Sequence, residues 1–233
     1  SHTSAKDLET RGNFPKEKLE VIGLGLRPPL PSSPEDVATL RRSLLAGGSK
    51  LVVTIARLDH QKGIDILIDC VARLKESSPH VRFVLVGHGP EEKELKEVAL
   101  KAGVLGHLAF AGTTDRPHDY LRAADLFLLT SRWECLPYTI PEAFQVGCPA
   151  VATACAGVVE LIDDSVGRVV PVGDVDAICT AITTILADDA ARKRMSGAAL
   201  ERSREKRFDP EWTHSLIETA YAEVLAAGQG TPA

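Results

Sequence analysis

The sequence predicts an α/β fold built on an open parallel sheet of about six strands flanked by helices. Two observations lead there. From Leu51 onward, short runs of apolar and β-branched residues alternate with longer stretches whose apolar positions recur at helical period, the pattern of successive βαβ units. The runs themselves are short and continuous, as buried parallel strands are. At 233 residues the chain is long enough for one such domain with flanking segments and too short for two full ones.

Taken in order, residues 1 to 50 stand apart. The opening residues carry few apolar positions, Lys18 to Ile22 is expected to form one strand, and Arg27 to Pro34 is rich in proline and serine, as an interdomain connection is. Sheet strands are expected at Leu51 to Ile55, Val81 to Val86, Leu108 to Phe110, Leu126 to Leu129, Ala150 to Thr153 and Arg168 to Val170. Between the first two, Ile64, Leu67, Ile68, Val71 and Leu74 share one helical face, and between the second and third Leu95, Val98, Ala99 and Ala102 do. Gly89-Pro90 reads as the start of that second helix and Gly103 as its stop. Asp174 is placed to cap a helix running to about Ala187, and Asp209-Pro210-Glu211 opens a last one through Trp212, Leu216, Ile217, Tyr221 and Leu225. No internal repeat is found.

Composition narrows the function classes. The net charge is -5, with lysines and arginines scattered, so no surface for nucleic acid is announced. The five cysteines, Cys70, Cys135, Cys148, Cys155 and Cys179, form no CxxC pair and mostly sit among apolar neighbours, which fits core thiols in a reducing compartment. No apolar run reaches the ~20 residues that span a bilayer and the polar N-terminus lacks a signal-peptide pattern, so a cytoplasmic location is expected.

The residues able to carry chemistry sit on turns that follow strands. Glu134 and Glu142 flank a loop-to-helix entry just after Leu126 to Leu129, which would place them at the carboxyl edge of the sheet, where open α/β folds bind ligands. Glu142 suits ribose hydroxyls and Glu134 a sugar hydroxyl, while amides around Tyr138 and Thr139 face a phosphate. A structural reading stands beside this one, since Thr139 and Glu142 fit a capping box and Glu134 an ordinary loop carboxylate. The turn from Ala56 to Gly63 lacks the glycines of a dinucleotide site but carries Arg57 and Lys62, which together can hold a diphosphate or can be solvated surface charges. Gly87-His88-Gly89-Pro90 fails the GxGxxG pattern because Glu92 takes the third position, leaving a tight turn where a ligand can approach backbone. Asp174-Val175-Asp176 spells DxD but opens a helix, so capping accounts for it and no metal is expected. His60 and His88 lie on the same turns without an orienting partner in sequence.

These landmarks come in a specific order: Ala56-Arg57-Leu58 to Lys62-Gly63, Val86 to Pro90, Phe110-Ala111-Gly112, Tyr120 to Asp125, Ser131 to Glu134, Glu142-Ala143-Phe144, Gly147 to Thr153 and Gly167 to Pro171. Together they resemble the C-terminal half of the retaining GT-B glycosyltransferases of the large family four, from about Lys18 to Ala226. The resemblance implies a Rossmann-like domain that binds a UDP-, GDP- or ADP-sugar and needs no separate cofactor. In it, Arg57, Lys62 and Glu134 are catalytic, with the two cations on the diphosphate and Glu134 at the donor sugar. Glu142 holds the ribose, Gly112, Thr113 and Asp115 lie beside the base, and Gly87, Gly89, Leu136, Tyr138 and Thr139 complete the donor contacts.

The same resemblance implies metal-independent transfer of a hexosyl group with retained anomeric configuration, in carbohydrate or glycolipid biosynthesis. It divides the chain into residues 1–34, the end of an N-terminal domain and its linker; 35–208, the nucleotide-sugar-binding domain; and 209–233, a helix that packs on the N-terminal domain, with a flexible tail. An acceptor saccharide or lipid-linked saccharide would be held by that N-terminal domain, so the chain alone is expected to be inactive and the complete enzyme to lie peripheral to a membrane. An unpartnered final helix would expose Trp212, Leu216 or Tyr221, inviting a dimer or a split-enzyme partner. Two positions depart from the family pattern: Cys135 stands where glycine is usual, and Ala156-Gly157 where two glycines are. They leave open a non-catalytic nucleotide-binding or assembly module, and the shared architecture leaves open an epimerase or phosphorylase relative.

Overall fold

A computed structural model describes residues 1–228 of the protein. Its strands are β1 (Lys50–Ile55), β2 (Val81–Val86), β3 (Leu108–Gly112), β4 (Leu126–Leu129), β5 (Ala150–Thr153) and β6 (Gly167–Val170), all parallel, in the order β3-β2-β1-β4-β5-β6. Each of the six expected sheet strands is present to within two residues at either end. The helices are α1 (His2–Thr10), α2 (Pro34–Leu45), α3 (Ile64–Ser77), α4 (Glu92–Lys101), α5 (Pro117–Ala123), α6 (Thr139–Gln145), α7 (Val175–Ala187), α8 (Asp189–Arg202) and α9 (Pro210–Gly228).

Residues alternate between the faces of the sheet with the period of two that a pleated strand imposes. Val52, Leu126 and Leu128 enter one apolar cluster; Leu51, Val53, Phe127 and Leu129 enter the other. Helices α3, α4 and α7 cover the first cluster with Met195 of α8, while α5, α6 and Ala199 of α8 cover the second together with Leu24, Leu26 and Phe208. Burial on both faces explains why the central strand β4 is continuously apolar. The chain order reverses between β1 and β4, which opens a crevice at their carboxyl ends.

Three local expectations need correction. Lys18 to Ile22 forms no strand, because only a one-turn 3₁₀ helix, Lys16–Lys18, occurs there and the following backbone runs against the far end of the chain. The Leu26 amide donates to the Phe208 carbonyl at 3.0 Å, and a Cβ on Gly23 would lie 2.2 Å from the Arg207 carbonyl oxygen, so Gly23 permits this close approach. Gly89-Pro90 does not cap α4, whose N-cap is Glu91; Gly89 instead packs so tightly on Leu58 that a Cβ would meet its carbonyl oxygen at 2.3 Å. Thr139 and Glu142 form no capping box, since α6 is capped by Tyr138 without a side-chain bond and Thr139 already lies inside the helix. The apolar residues of α9 divide: Trp212 and Leu216 are half-buried, whereas Tyr221 is exposed. The tail expected beyond residue 228 lies outside the described residues.

Of the stripe expected on α4, Leu95 and Ala99 are buried and Ala102 packs against them, whereas Val98 is exposed. The cap and stop signals act as expected. Asp174 accepts from the Ala177 amide at 2.9 Å and caps α7, Asp209 accepts from Glu211 and Trp212 at the head of α9, and Gly103 takes φ +64° just past the end of α4. Among the described residues no helix is long and apolar enough to cross a membrane.

Candidate active site at the carboxyl edge of the sheet

The turns after β1, β2, β3 and β4 meet around a cavity of about 540 Å³ beside the β1/β4 crevice. Arg57 and Lys62 reach it from the first turn, Gly87 and His88 from the second, Thr113 from the third, and Glu134, Leu136, Tyr138 and Thr139 from the fourth. Asp115 and Glu142 line a second cavity of about 490 Å³, bounded on its other side by the linker at Leu26, Arg27 and Leu30. Tyr138 lines both. Gly89 and Gly112 line neither; Gly112 takes φ +69°, turning the chain out of β3.

Lys62 and Glu134 are directly paired. The ammonium donates to Glu134 Oε1 at 2.6 Å, and the two side chains are 20% and 6% exposed. The same carboxylate oxygen accepts from Ser131 Oγ at 2.7 Å. Shielding strengthens this pair relative to a surface bridge, and Lys62 keeps donor capacity beyond its bond to Glu134. Arg57 is held differently: its Nε donates to Asp59, whose other carboxylate oxygen caps the 3₁₀ turn His60–Lys62 by accepting from the Lys62 amide at 3.2 Å. The Arg57 side chain remains 66% exposed, so the guanidinium stands at the cavity mouth.

Main-chain stitching fixes the two loops that carry these groups. The Arg132 amide donates to the Gln61 carbonyl at 2.7 Å, Gln61 Nε2 to the Trp133 carbonyl at 3.0 Å, and Thr130 Oγ1 to the carbonyls of Lys62 and Gly63 at 3.1 and 2.9 Å. Arg132 grips Asp65 through two parallel bonds of 2.9 and 2.5 Å, and this guanidinium holds the Asp65 carboxyl below its ordinary range. Gly63, at φ +60°, allows the turn into α3; a Cβ there would sit 2.3 Å from the Thr130 carbonyl oxygen.

Glu142 has a contrasting environment. It lies half-buried on α6, and burial pushes its carboxyl above the usual range. Cys135 is exposed, does not line the main cavity and does not take a positive φ, so its side chain neither fills the site nor strains the loop. Its carbonyl packs on Gly157, where a Cβ would approach to 2.0 Å. The DxD aspartates are engaged elsewhere, Asp174 as the α7 cap and Asp176 in an ion pair with Arg73.

Sequence reasoning missed Ser131, Asp59, Arg132 and Asp65. Ser131 carried a local signal, three residues before Glu134, and Asp59 lies two residues after Arg57. The Arg132–Asp65 pair spans 67 residues of chain, a separation that no local spacing reveals.

A family model described as "Glycosyl transferases group 1" matches residues 36–202. The lipopolysaccharide core biosynthesis glycosyltransferase LpsE of Rhizobium meliloti is 33% identical over 178 residues, covering 76% of this chain and 50% of that protein. A GDP-mannose-dependent alpha-mannosyltransferase of Corynebacterium glutamicum is 30% identical over 191 residues, covering 80% of this chain and 43% of its own length. Among solved structures, that of Anabaena Alr3699/HepE in complex with UDP-glucose superposes with a TM-score of 0.85 at 27% identity, covering 95% of this chain and 62% of that one. The chain thus spans about half the length of these relatives in sequence.

Proposed function

The chain belongs to the glycosyl transferases group 1 family, and from that premise we propose that it forms the donor-binding wall of a retaining glycosyltransferase that acts on a nucleotide-diphosphate sugar. The observation that carries this reading is the shielded Lys62–Glu134 pair beside Arg57 in a cavity that adjoins, through Tyr138, a second one holding Glu142. Such a two-lobed site matches a ligand with an anionic centre, a sugar at one end and a nucleoside at the other. Arg57 and Lys62 take the diphosphate, Glu134 a hydroxyl of the donor sugar, and Glu142 the ribose hydroxyls, which donate to its carboxylate.

In the transfer step the acceptor oxygen bonds to the anomeric carbon on the face from which diphosphate departs. The bond from that carbon to the phosphate oxygen breaks, and the acceptor proton passes to the leaving diphosphate. The two cations stabilise the negative charge that grows on the leaving group, the kind of preorganised stabilisation that supplies much of a barrier's reduction. No metal enters this scheme. Because the relatives are about twice as long, we assign the acceptor, a saccharide or lipid-linked saccharide, to a second domain, without which the chain binds donor but does not turn it over.

Calorimetric titration with UDP-, GDP- and ADP-sugars tests the proposal. One of the three is expected to bind, and Arg57→Ala or Lys62→Ala to weaken it by about tenfold or more. Failure of all three to bind, or binding indifferent to both substitutions, would sink the reading. The relatives name more than one nucleotide, GDP in the Corynebacterium enzyme and UDP in the Anabaena complex, so the three arms also identify the base.

A further inference from the structure

Away from the candidate site, Cys70 on α3 and Cys179 on α7 meet across the seam between these helices with their sulfur atoms 3.2 Å apart. Cys70 is fully buried and Cys179 is 7% exposed. One turn along the same seam, Arg73 on α3 pairs with Asp176 on α7, so two side-chain contacts run side by side and hold the helices in register at the cysteines. The other thiols are placed differently: Cys148 and Cys155 donate to the carbonyls of Pro149 and Ser131, and Cys135 is exposed.

We propose that Cys70 and Cys179 are a thiol pair that a two-electron oxidant such as hydrogen peroxide converts reversibly into a disulfide clamping α3 to α7. The sulfurs need to close by only about 1.2 Å to reach the S–S length of about 2.05 Å, a movement within the reach of two side chains already facing one another. Cys179 is the more accessible of the two and reacts first. Its thiolate is favoured by the hydrogen bond from Cys70 and by the nearby Arg73, against burial and the charge of Asp176, while the same contact and burial drive the Cys70 thiol upward.

The Cys179 thiolate attacks one peroxide oxygen; the O–O bond breaks and hydroxide leaves, taking up the thiol's proton as water and leaving a sulfenic acid. The Cys70 sulfur then attacks the Cys179 sulfur. The S–O bond breaks, a second water leaves with the Cys70 proton, and two thiols plus one peroxide have become one disulfide plus two waters. A linkage between residues 109 positions apart closes a long loop in the unfolded chain, the condition under which a disulfide stabilises most.

The test treats the full chain with hydrogen peroxide at the lowest dose that oxidises the exposed Cys135, alkylates the remaining thiols after unfolding, and maps the peptides. The expected result is joint loss of alkylation at Cys70 and Cys179, a linked peptide lighter by two hydrogens, and reversal by dithiothreitol. The linked protein should melt about 5–15 °C higher than the reduced one, and Cys179→Ser should leave Cys70 alkylatable under the same treatment. Oxidation of Cys135 with both buried cysteines still thiols overturns the proposal, as does their separate oxidation without a link. A link that leaves the melting temperature unchanged or lower overturns the clamp.

Discussion

Glu134 and Glu142 are both carboxylates on one loop-helix segment, yet their surroundings differ. Glu134 is held by an ammonium and a hydroxyl, while Glu142 is half-buried and pushed up by that burial. For Glu142 the sign is definite. A carboxyl raised above its unfolded value of 4.5 contributes stability that is fully present below that value and lost as pH rises through the folded one. Glu142→Gln is therefore expected to raise the melting temperature at pH 7 relative to the unaltered chain, with the gain shrinking toward pH 4; a gain independent of pH would contradict the burial argument. Under the proposed function the same substitution weakens donor binding, because one of two acceptor oxygens for the ribose is lost. At this scale the sequence showed which residue types were suited to the chemistry. It did not show that Lys62 is already occupied by Glu134, or that Arg57 leans on Asp59, since such pairings depend on side-chain direction.

The strands were legible because burial on both faces leaves continuous apolar runs, and β2, β4 and β5 lie where those runs lie. Helices α3 and α7 were legible for the complementary reason, each burying a full stripe. Helices α2, α5 and α8 were not: α5 has only seven residues, and α8 buries just Met195 and Ala199 beneath a charged exterior, too little for periodicity to register. The junction of the Lys62 turn with α3 is the element on which site and scaffold both depend. Gly63→Ala forces a side chain into a left-handed conformation and against the Thr130 carbonyl, at a cost of about 1–3 kcal/mol. The urea midpoint should fall accordingly and donor binding with it, because Lys62 precedes the strained residue; an unchanged midpoint would show that the turn has another way to form.

Across the whole molecule, the strand order places the reversal between β1 and β4, and the candidate site follows from that topology more than from any single motif. The outer surface is less self-contained. Ile217, Tyr221, Val224 and Leu225 are exposed along α9, a contiguous apolar stretch of the kind that monomers seldom leave uncovered. In solution the chain is expected to self-associate through this helix, with a mean mass in sedimentation that rises with concentration and returns toward the monomer when Tyr221→Ser and Val224→Ser are combined. A constant mass across concentrations would show that α9 is soluble as it stands.

Tyr138, common to both cavities, acts as a party wall. A molecule that filled both cavities, from the cationic mouth to Glu142, would contact Tyr138 at both ends. Fragments resembling the two ends would then bind with energies that do not simply add to that of the intact molecule: the dividing residue is shared property, and neither room can be furnished without disturbing its neighbour.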